Sequence, residues 1–538
     1  DGTDGSTPAE GNFTFSRGSN LSATRVNASQ LIEKGRENLL TYSNDFSNAD
    51  WVKSNASVTS GQSGYDGTNN AWLLKGNTSN LAHRVYNAVS NTNINTLSVY
   101  VKASGHNYIQ ILSGNTVNQY ANFDLSDGSI GNSGSNFTPK IESVGNDWYR
   151  ISAFNNSSLV YSYIQLVSSK TAVWNESWAM PNATDGVLIQ DAQAELGLAA
   201  SPYIETGAST AQAGILENTP RLDYSGGASC PALLLEPNRT NVLPYSEYFG
   251  SSEWTKTRCT ITDNYAISPE GVQNAALMTA TDDDARLEDA ITLSGDYTQS
   301  IWVKSGQSGN VEGQIDFAGA ATKTFTANQE WQRVETTNDS FHRLRVRVTN
   351  SGDKLLIFGA QFEAGTYATS YIPTYGVSQT RNAESVIKTN VSSLIGQTEG
   401  TLFVDATIIA QVNGVSRVSL SFGNSTNEWI VLGLSEGIVS QSRVIINFGG
   451  STQVNTYGSA LSSGRHKYAL AYKENDVVLY VDGVLQVSDT SASIPLCDKI
   501  TLTGSAPNTN ADKFEQRHQT LLFKTRLTNA ELAALTTI

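Results

Sequence analysis

Short stretches in which apolar and polar residues alternate follow one another along most of the chain, with Gly, Asn, Asp and Ser clustered between them. Residues 96–102 and 108–112 are rich in β-branched and aromatic side chains, and residues 126–128 (Ser-Asp-Gly) have the composition of a turn. A period of two, interrupted by frequent turn signals, is typical of antiparallel β-strands. The pattern therefore predicts an all-β protein built from β-sandwich modules.

The same pattern occurs twice. Trp51 and Lys53 recur at one constant offset as Trp254 and Lys256, and matches continue along both segments, although the second is shorter. A repeat of domain length, far longer than the repeats of solenoids, indicates two tandem copies of one independent module. We expect the aromatic residues that both copies share to be core residues, and positions where the copies differ to be more informative about function. The shared aromatic pairs are Phe46/Phe249, Trp51/Trp254, Tyr100/Trp302 and Trp148/Trp331.

The last part of the chain has a different pattern and no second copy. Residues 400–406 and 465–472 have strand character, and residues 477–485 predict two strands joined by an Asp-Gly turn. Only residues 528–535 have helical character, with Thr528 as N-cap and Glu531 three positions later as its capping-box partner. These features predict a third sandwich that ends in one short helix.

The predicted fold is all-β, with three tandem β-sandwich (jelly-roll) modules of which the first two are duplicates. The expected boundaries are a leading extended segment (1–37), a first sandwich (38–207), a linker (208–240), a second sandwich (241–377) and a third sandwich (384–538).

Composition narrows the class of protein. Only 16% of residues are charged and 44 are glycines, as expected of loop-rich β-sandwiches. The formal net charge of -15 argues against a nucleic-acid partner, because binding to phosphates needs clustered Lys and Arg. No apolar run approaches the roughly 18 residues of a membrane span, so membrane insertion is not expected. Three widely spaced cysteines give no disulfide or metal pattern.

Several phrases in the sequence resemble bacteriophage structural proteins, namely tail or head fibres and appendages built from carbohydrate-binding-module-like jelly rolls. They are residues 15–19, 23–27, 220–224, 234–241 and 369–374. Residues 479–483 and 527–532 give the third module the look of a concanavalin A-like (laminin-G-type) lectin domain. The resemblance implies an extracellular virion component, a homo-oligomer and commonly a trimer, whose partners are host cell-surface glycans and other virion proteins.

The sequence shows little that points to catalysis. Enzymes on the laminarinase-type version of the lectin fold carry Glu-x-Asp-x-x-Glu or Glu-x-Asp-x-Glu on a strand, and neither spacing occurs here. We therefore predict no catalytic residues and no required cofactor or metal. Calcium is the one ion that residues 282–284 (Asp-Asp-Asp), or Asp124 with Asp127, could bind, although solvated loops explain them as well.

Sugar binding requires exposed aromatic rings beside amide or carboxylate groups. Trp174, Asn175 and Trp178 have this combination in a loop that is longer in the first copy than in the second, and Asn427 with Trp429 is a weaker candidate in the third module. Local packing or a subunit contact is the alternative for the first group, and a core-facing strand residue for the second.

These observations favour a non-enzymatic virion fibre or appendage protein that attaches to host surface glycans. Two alternatives stay open at this point: a purely structural decoration or assembly protein, and a secreted polysaccharide-active enzyme.

Overall fold

The computed structural model describes residues 13–538, except residues 20, 92, 115, 290, 292, 294, 318–319, 339–342, 409–414, 438–439 and 506–513. Within these residues the chain is almost entirely β-structure, arranged in three sandwiches. The predicted fold class is therefore confirmed. No helix in the described part of the chain is long and apolar enough to cross a membrane.

The first sandwich follows a leading segment of short strands. The leading strands are β1 (Thr14–Ser16), β2 (Thr24–Val26), β3 (Ile32–Lys34) and β4 (Arg36–Asn38). The strands of the first sandwich are β5 (Trp51–Ser54), β6 (Ala56–Gln62), β7 (Ala71–Gly76), β8 (His83–Asn91), β9 (Asn95–Ser104), β10 (Tyr108–Ser113), β11 (Tyr120–Asp124), β12 (Ser129–Ser133), β13 (Phe137–Gly145), β14 (Trp148–Asn155), β15 (Leu159–Leu166) and β16 (Gly186–Leu196). They form two antiparallel sheets, ordered β12-β11-β10-β15-β8-β5 and β13-β14-β9-β16-β7-β6.

The second sandwich has the same strand order. The connecting strands are β17 (Ala211–Ala213), β18 (Leu222–Asp223), β19 (Ala232–Leu235) and β20 (Arg239–Asn241). The second sandwich contains β21 (Trp254–Thr257), β22 (Cys259–Ala266), β23 (Ala275–Ala280), β24 (Ala285–Asp289), β25 (Tyr297–Ser305), β26 (Val311–Phe317), β27 (Ala320–Ala327), β28 (Gln332–Asn338), β29 (Leu344–Val348) and β30 (Lys354–Ala364). Its sheets are ordered β27-β26-β29-β24-β21 and β28-β25-β30-β23-β22, which matches the first sandwich strand for strand apart from β12 and β13.

The shared aromatic residues largely form the cores of the two copies. Phe46 and Phe249 are fully buried, and Trp51 and Trp254 are 0% and 3% exposed. In each copy the indole N–H of this tryptophan donates to the carbonyl oxygen of a tyrosine nine residues earlier. Among the other pairs, Trp148 is buried, whereas Tyr100, Trp302 and Trp331 are only partly buried. The prediction that the shared aromatic residues are core residues is thus confirmed for Phe46/Phe249 and Trp51/Trp254. It is confirmed only in part for Tyr100/Trp302 and Trp148/Trp331.

The third sandwich consists of two larger sheets. Before it, β31 (Gln379–Arg381) pairs with β20 in a separate two-stranded sheet. The strands of the third sandwich that follow are β32 (Ser385–Lys388), β33 (Glu399–Ile408), β34 (Val415–Ser421), β35 (Trp429–Glu436), β36 (Gln441–Phe448), β37 (Ser451–Ala460), β38 (Gly464–Lys473), β39 (Asp476–Val481), β40 (Val484–Asp489), β41 (Lys499–Thr501) and β42 (Glu515–Phe523). The sheets are ordered β1-β32-β41-β34-β35-β36-β37 and β18-β19-β42-β33-β38-β39-β40. The leading strand β1 and the connecting strands β18 and β19 therefore belong to this sandwich.

Two local predictions for the third module agree with the structure. Asp482 and Gly483 join β39 to β40 with φ values of 51° and 79°, the left-handed pair that a tight two-residue hairpin turn requires. Helix α1 (Asn529–Thr536) begins at Thr528, whose hydroxyl accepts from the backbone N–H of Glu531 while the Glu531 carboxylate accepts in return. Local sequence signals alone determine both features.

A buried ion network lies where the leading, connecting and third-module segments meet. Arg221 contacts Glu236 at 2.6 Å and Glu384 at 2.5 Å, Arg381 contacts Glu236 at 3.1 Å, and Arg17 contacts Glu384 at 3.6 Å. All five side chains are completely buried. Burial by itself raises the pKa of Glu236, but the charges of Arg381 and Arg221 outweigh this effect and lower the pKa to about 2. Removing one partner of such a network leaves an uncompensated buried charge, so the network fixes how these segments pack.

Candidate functional site

The first sandwich has an outward sheet surface that is unusually rich in tyrosine. In the sheet containing β8, β10 and β15, the inward residues Val85, Ile109 and Ile164 are at most 2% exposed and form the core. Because side chains alternate along a strand, the residues between them point outward. These outward residues are Arg84, Tyr86, Gln110, Leu112, Tyr161, Tyr163 and Gln165.

The strand register places the outward tyrosines side by side. Tyr163 on β15 is directly opposite Tyr86 on β8, and their ring centroids are 4.8 Å apart. Tyr161 lies 5.5 Å from each of these rings and is perpendicular to Tyr86. Tyr86 and Tyr161 are partly exposed, whereas Tyr163 is 7% exposed. Together with Arg84, these three residues are called the tyrosine face below.

Arg84 provides a cation within this group. Its guanidinium carbon is 4.6 Å from the centre of the Tyr163 ring and 5.8 Å from that of Tyr86. Such distances fall within the range of cation–π attraction. No carboxylate of the described residues forms an ion pair with Arg84.

A loop is anchored beside the tyrosine face by one side chain from each of four adjacent strands. The bonds are Asn122 Nδ2 to Ala172 O at 2.7 Å, Gln110 Nε2 to Val173 O at 3.1 Å, Gln165 Nε2 to Glu176 O at 3.0 Å and Arg84 Nη1 to Asn175 Oδ1 at 2.5 Å. The donors are buried amides or a partly buried guanidinium, so each bond satisfies a group that has little access to water. The loop is thereby held against the sheet.

Two of the residues predicted from the sequence lie in this anchored loop. Asn175 accepts from Arg84, and its backbone N–H donates to Gln110 Oε1 at 3.0 Å. Trp174 is partly exposed, and its indole N–H is buried without a hydrogen-bond acceptor among the described residues. Asn175 is therefore at the margin of the tyrosine face, and Trp174 is its neighbour in the anchored loop.

The third residue predicted in this loop, Trp178, packs against its own module. Its indole N–H donates to the carbonyl oxygen of Leu166 at 3.1 Å, and its ring stacks on His106 with centroids 5.3 Å apart. It also lies 6.1 Å from His83 and contacts the core of the first sandwich. These contacts correspond to the local-packing alternative for Trp178 rather than to an open ring face.

The candidates in the third module lie at one end of its sheet. Asn427 is exposed and Trp429, the first residue of β35, is partly exposed. Trp429 is opposite Asn447, whose amide accepts from the indole N–H once its oxygen and nitrogen are oriented to satisfy both groups. Phe422 and Phe448, on neighbouring strand ends, are 53% and 43% exposed. Among the described residues these three rings make no ring contact with one another, unlike the three rings of the tyrosine face.

The carboxylates that could have bound calcium have cationic neighbours. Asp284 pairs with Arg286 at 2.6 Å and also with Arg347, and Lys170 lies 3.7 Å from Asp124 and 3.4 Å from Asp127. Among the described residues, no group of three or more His, Cys, Asp or Glu side chains is arranged to hold a metal ion. The described cysteines Cys230, Cys259 and Cys497 are free thiols.

A cavity of about 470 Å³ lies at the junction between the leading segment and the two related sandwiches. Its Lys34 is paired with two acids: Lys34 Nζ is 3.2 Å from Glu247 and 2.7 Å from Glu270. Asn274 Nδ2 donates to both carboxylates, and the Tyr375 hydroxyl donates to Glu247 at 3.2 Å. Burial raises the pKa of Glu270 to about 7, despite the opposing effect of Lys34. This junction is primarily a contact between modules.

The tyrosine face itself was not predicted from the sequence. The available signal was the alternation of Tyr161, Tyr163 and Gln165 on one strand, which by a period of two lie on one side of a sheet. Tyr86 joins them only through the pairing of β8 with β15, which the sequence does not reveal.

Comparison with known proteins gives only distant structural similarity. No family model matches the chain, and no curated protein matches it. The CBM40 of the Ruminococcus gnavus IT-sialidase, bound to α2,3 sialyllactose, is 18% identical with a TM-score of 0.25, covering 28% of this chain and 91% of that one. Domain 4 of AbnA, a GH43 extracellular arabinanase from Geobacillus stearothermophilus, in complex with arabinotriose, is 12% identical with a TM-score of 0.24, covering 29% and 73%.

The LG1-3 region of the laminin alpha2 chain is 10% identical with a TM-score of 0.15, and the match covers 84% of this chain and 97% of that region. These neighbours are carbohydrate-binding and laminin-G-type β-sandwiches. Similarity at this level concerns β-sandwich architecture alone and says nothing about the ligand of this chain.

Proposed function

We propose that the protein binds carbohydrate at the tyrosine face of its first sandwich. The observation that carries this proposal is the contact of Tyr86, Tyr161 and Tyr163, with centroids 4.8 to 5.5 Å apart, beside the hydrogen-bond donors of Arg84. Aromatic rings pack against the C–H surfaces of sugars, while nearby polar groups bind the hydroxyls. The face has both components.

The surroundings of the face favour binding by a preformed site. The tyrosines lie on paired strands, and the adjoining loop is anchored by Gln110, Gln165 and Arg84. Groups that are already ordered lose little conformational entropy when a ligand binds. A weakly bound sugar therefore does not also have to order its site.

We propose binding without catalysis. Glu176 is the carboxylate of the anchored loop, and its two oxygens accept from the backbone N–H of Ser168 at 2.7 Å and from the Ser168 hydroxyl at 2.8 Å. A general acid or nucleophile for glycoside cleavage has to face the bound sugar, and a second carboxylate has to lie opposite. Both carboxylate oxygens of Glu176 are instead hydrogen-bonded to Ser168, which stabilises the conformation of the loop.

On the resemblance of its sequence phrases, we further propose that the chain is part of a bacteriophage fibre or appendage that attaches to host surface glycans as a homo-oligomer. The tyrosine face would then be a receptor-binding surface outside the cell. Assembly into a particle without sugar binding is the competing function, since tyrosine and arginine are also frequent in protein interfaces.

Glycan-array binding by the full chain, followed by titration calorimetry with the best ligand, tests the proposal. Tyr161→Ala should lower affinity at least about tenfold, since one aromatic contact contributes roughly 1.4 kcal/mol or more. The control is Tyr265→Ala, which removes a 51% exposed tyrosine of the second sandwich and should leave affinity unchanged.

Two results would count against the proposal. One is the absence of binding to every member of a broad panel of neutral and acidic glycans. The other is a change of oligomeric state in Tyr161→Ala, measured by light scattering, with glycan affinity unaltered. The second result would favour the assembly function.

A further inference from the structure

We infer that the tyrosine face selects sugars that carry a carboxylate, such as uronic or ulosonic acids, and that Arg84 is the residue that recognises the acid group. This inference rests on the proposed function, because it names the class of sugar bound at the same face. It concerns one charged side chain and can fail while sugar binding stands.

The first argument is that Arg84 has a partly free guanidinium. Nη1 donates to the Asn175 amide oxygen, which is a neutral acceptor, and Nε is buried without an acceptor among the described residues. No described acceptor is hydrogen-bonded to Nη2. Guanidinium groups form their strongest hydrogen bonds with carboxylates and similar anions. The face thus presents a cation whose strongest type of partner is missing.

The second argument comes from the equivalent residue of the second sandwich. The pairings of Trp51 with Asn87 and of Trp254 with Asp289 align β8 with β24, so that Arg84 corresponds to Arg286. Arg286 donates to the Asp284 carboxylate at 3.1 Å from Nε and at 2.6 Å from Nη2. The arginine is present in both copies, but only the second copy supplies it with a carboxylate.

The third argument concerns selectivity. A protein with a net charge of -15 repels anions at long range, so a general affinity for anions is not expected. An acidic sugar differs from a simple anion because its ring packs against Tyr86 or Tyr161 while its carboxylate reaches Arg84. Recognition by both parts accounts for a cation that lies over the rings of Tyr163 and Tyr86 instead of on an open surface.

The test uses matched pairs of ligands with the full chain. Oligosaccharides that contain hexuronic or nonulosonic acids are compared with the same oligosaccharides after reduction of each carboxyl to a hydroxymethyl group. We expect the acidic member to bind at least tenfold more tightly. Arg84→Gln, which keeps a donor for Asn175, should remove this preference, because it lowers the affinity for the acidic member at least tenfold more than the affinity for the neutral member.

Two further variants separate recognition from structure. Arg84→Lys keeps the charge without the planar fork and should retain part of the preference. Arg286→Gln removes the equivalent arginine of the second sandwich and should leave the preference unchanged. Circular dichroism and the thermal transition of each variant establish that it is folded.

The possible results are distinct. Equal binding of acidic and reduced sugars, or an acid preference that survives in Arg84→Gln, overturns the inference but leaves the proposed function intact. Absence of binding to both members of every pair overturns the proposed function and the inference with it. Tighter binding of the acidic member that is lost in Arg84→Gln and kept in Arg286→Gln supports both, and loss of the preference in Arg286→Gln overturns the inference.

Discussion

The sheet β12-β11-β10-β15-β8-β5 of the first sandwich and the sheet β27-β26-β29-β24-β21 of the second have equivalent strands in the same order. Their outward faces differ, because the first carries aromatic side chains where the second carries ion pairs. The pairing registers make Tyr86, Leu112, Tyr163 and Gln165 of the first copy equivalent to Glu288, Asp316, Arg345 and Arg347 of the second. In the second copy, Arg345 binds Asp316 through Nε at 2.8 Å and Nη2 at 2.6 Å. The second face is neutralised internally, whereas the first presents rings and a cation without a carboxylate.

This difference shows which positions of the module are free to change. The inward residues of both copies are buried and apolar, so the core that determines the fold is preserved. Outward residues of a sheet are not part of that core, so they can form a ligand site in one copy and a network of ion pairs in the other. The tyrosine face is therefore a property of one copy and not of the module.

The largest expected loss of stability comes from removal of the ion pair between Asp316 and Arg345 in the second sandwich. Asp316 is completely buried and Arg345 is 8% exposed, so Asp316→Ala leaves a buried guanidinium without its main partner. We expect the second sandwich to lose about 3 to 5 kcal/mol of stability. Hydrogen exchange of β26 and β29 measures the loss locally. Glu312→Ala, an exposed acid on the same strand, is the control, and an equal effect there would contradict the comparison.

The second prediction concerns replacement of a tyrosine of the first face by the acid found at the equivalent position of the second. Tyr86→Glu introduces the residue of the second copy, and its carboxylate can pair with Arg84 on the same strand. Binding of glycan should fall by about tenfold to a hundredfold, equivalent to roughly 1.4 to 2.7 kcal/mol. Tyr86→Gln removes the ring without adding charge and should lose less, which calorimetry can resolve. Equal losses would mean that the pairing with Arg84 is unimportant.

A third prediction concerns one buried pair in which the copies carry an acid and its amide. Burial raises the pKa of Asp289 to about 7, and the equivalent Asn87 donates to the Thr41 carbonyl oxygen at 2.9 Å. A carboxyl with a raised folded-state pKa contributes stability that is complete below its unfolded pKa and is lost as the pH rises through about 7.

The stability of the Asp289→Asn variant should therefore vary less between pH 5 and 8 than that of wild type. Its second sandwich should also be about 1 to 3 kcal/mol less stable at pH 5, because both carboxylate oxygens accept from backbone N–H groups, of Ile291 and Leu344, and an amide has one acceptor oxygen. Denaturant unfolding followed over this pH range measures the effect. The first sandwich, which already has the amide, serves as an internal control. Equal pH dependence of wild type and Asp289→Asn would show that Asp289 does not titrate in the folded protein between pH 5 and 8, whereas a second buried acid, Asp263, contributes equally to both proteins.

The sequence allowed the fold class, the duplication and the C-terminal helix to be predicted because each is encoded locally. Alternation along Asn95–Ser104, the repeated Trp51 and Trp254, and the Thr528 cap need no knowledge of distant partners. Strand pairing between distant segments is not encoded in this way. The pairing of β1 with β32 and of β19 with β42 joins the leading and connecting segments to the third sandwich, and no sequence signal indicated it.

The candidate site could be predicted only in part for the same reason. Two indoles four residues apart in the loop that is longer in the first copy point to Trp174, Asn175 and Trp178 together. The sequence does not show that the Trp178 indole packs against its own sandwich. Tyr86 and Tyr163 form a site only through the register between β8 and β15. Only the strand registers show that Tyr86 and Tyr163 are equivalent to the charged residues Glu288 and Arg345 of the second copy.

The smallest expected effect concerns the loop that borders the tyrosine face. Asn175 has a φ of 52°, which favours Asn or Gly, and its side chain accepts from Arg84. Asn175→Gly keeps the backbone conformation and removes that bond, so the free energy of unfolding should fall by about 1.5 kcal/mol, the lower end of the range for a hydrogen bond to a charged group, because Arg84 is partly exposed.

Hydrogen exchange in residues 168–178 should become faster in Asn175→Gly, because one of the anchors between loop and sheet is lost. Glycan affinity should fall about twofold to threefold, since part of the loop then becomes ordered only when the ligand binds. Ser177→Gly, at an exposed position of the same loop, is the control for added backbone freedom. If the two variants lose affinity equally, the hydrogen bond between Arg84 and Asn175 does not preorganise the face, and the anchoring is due to Gln110 and Gln165.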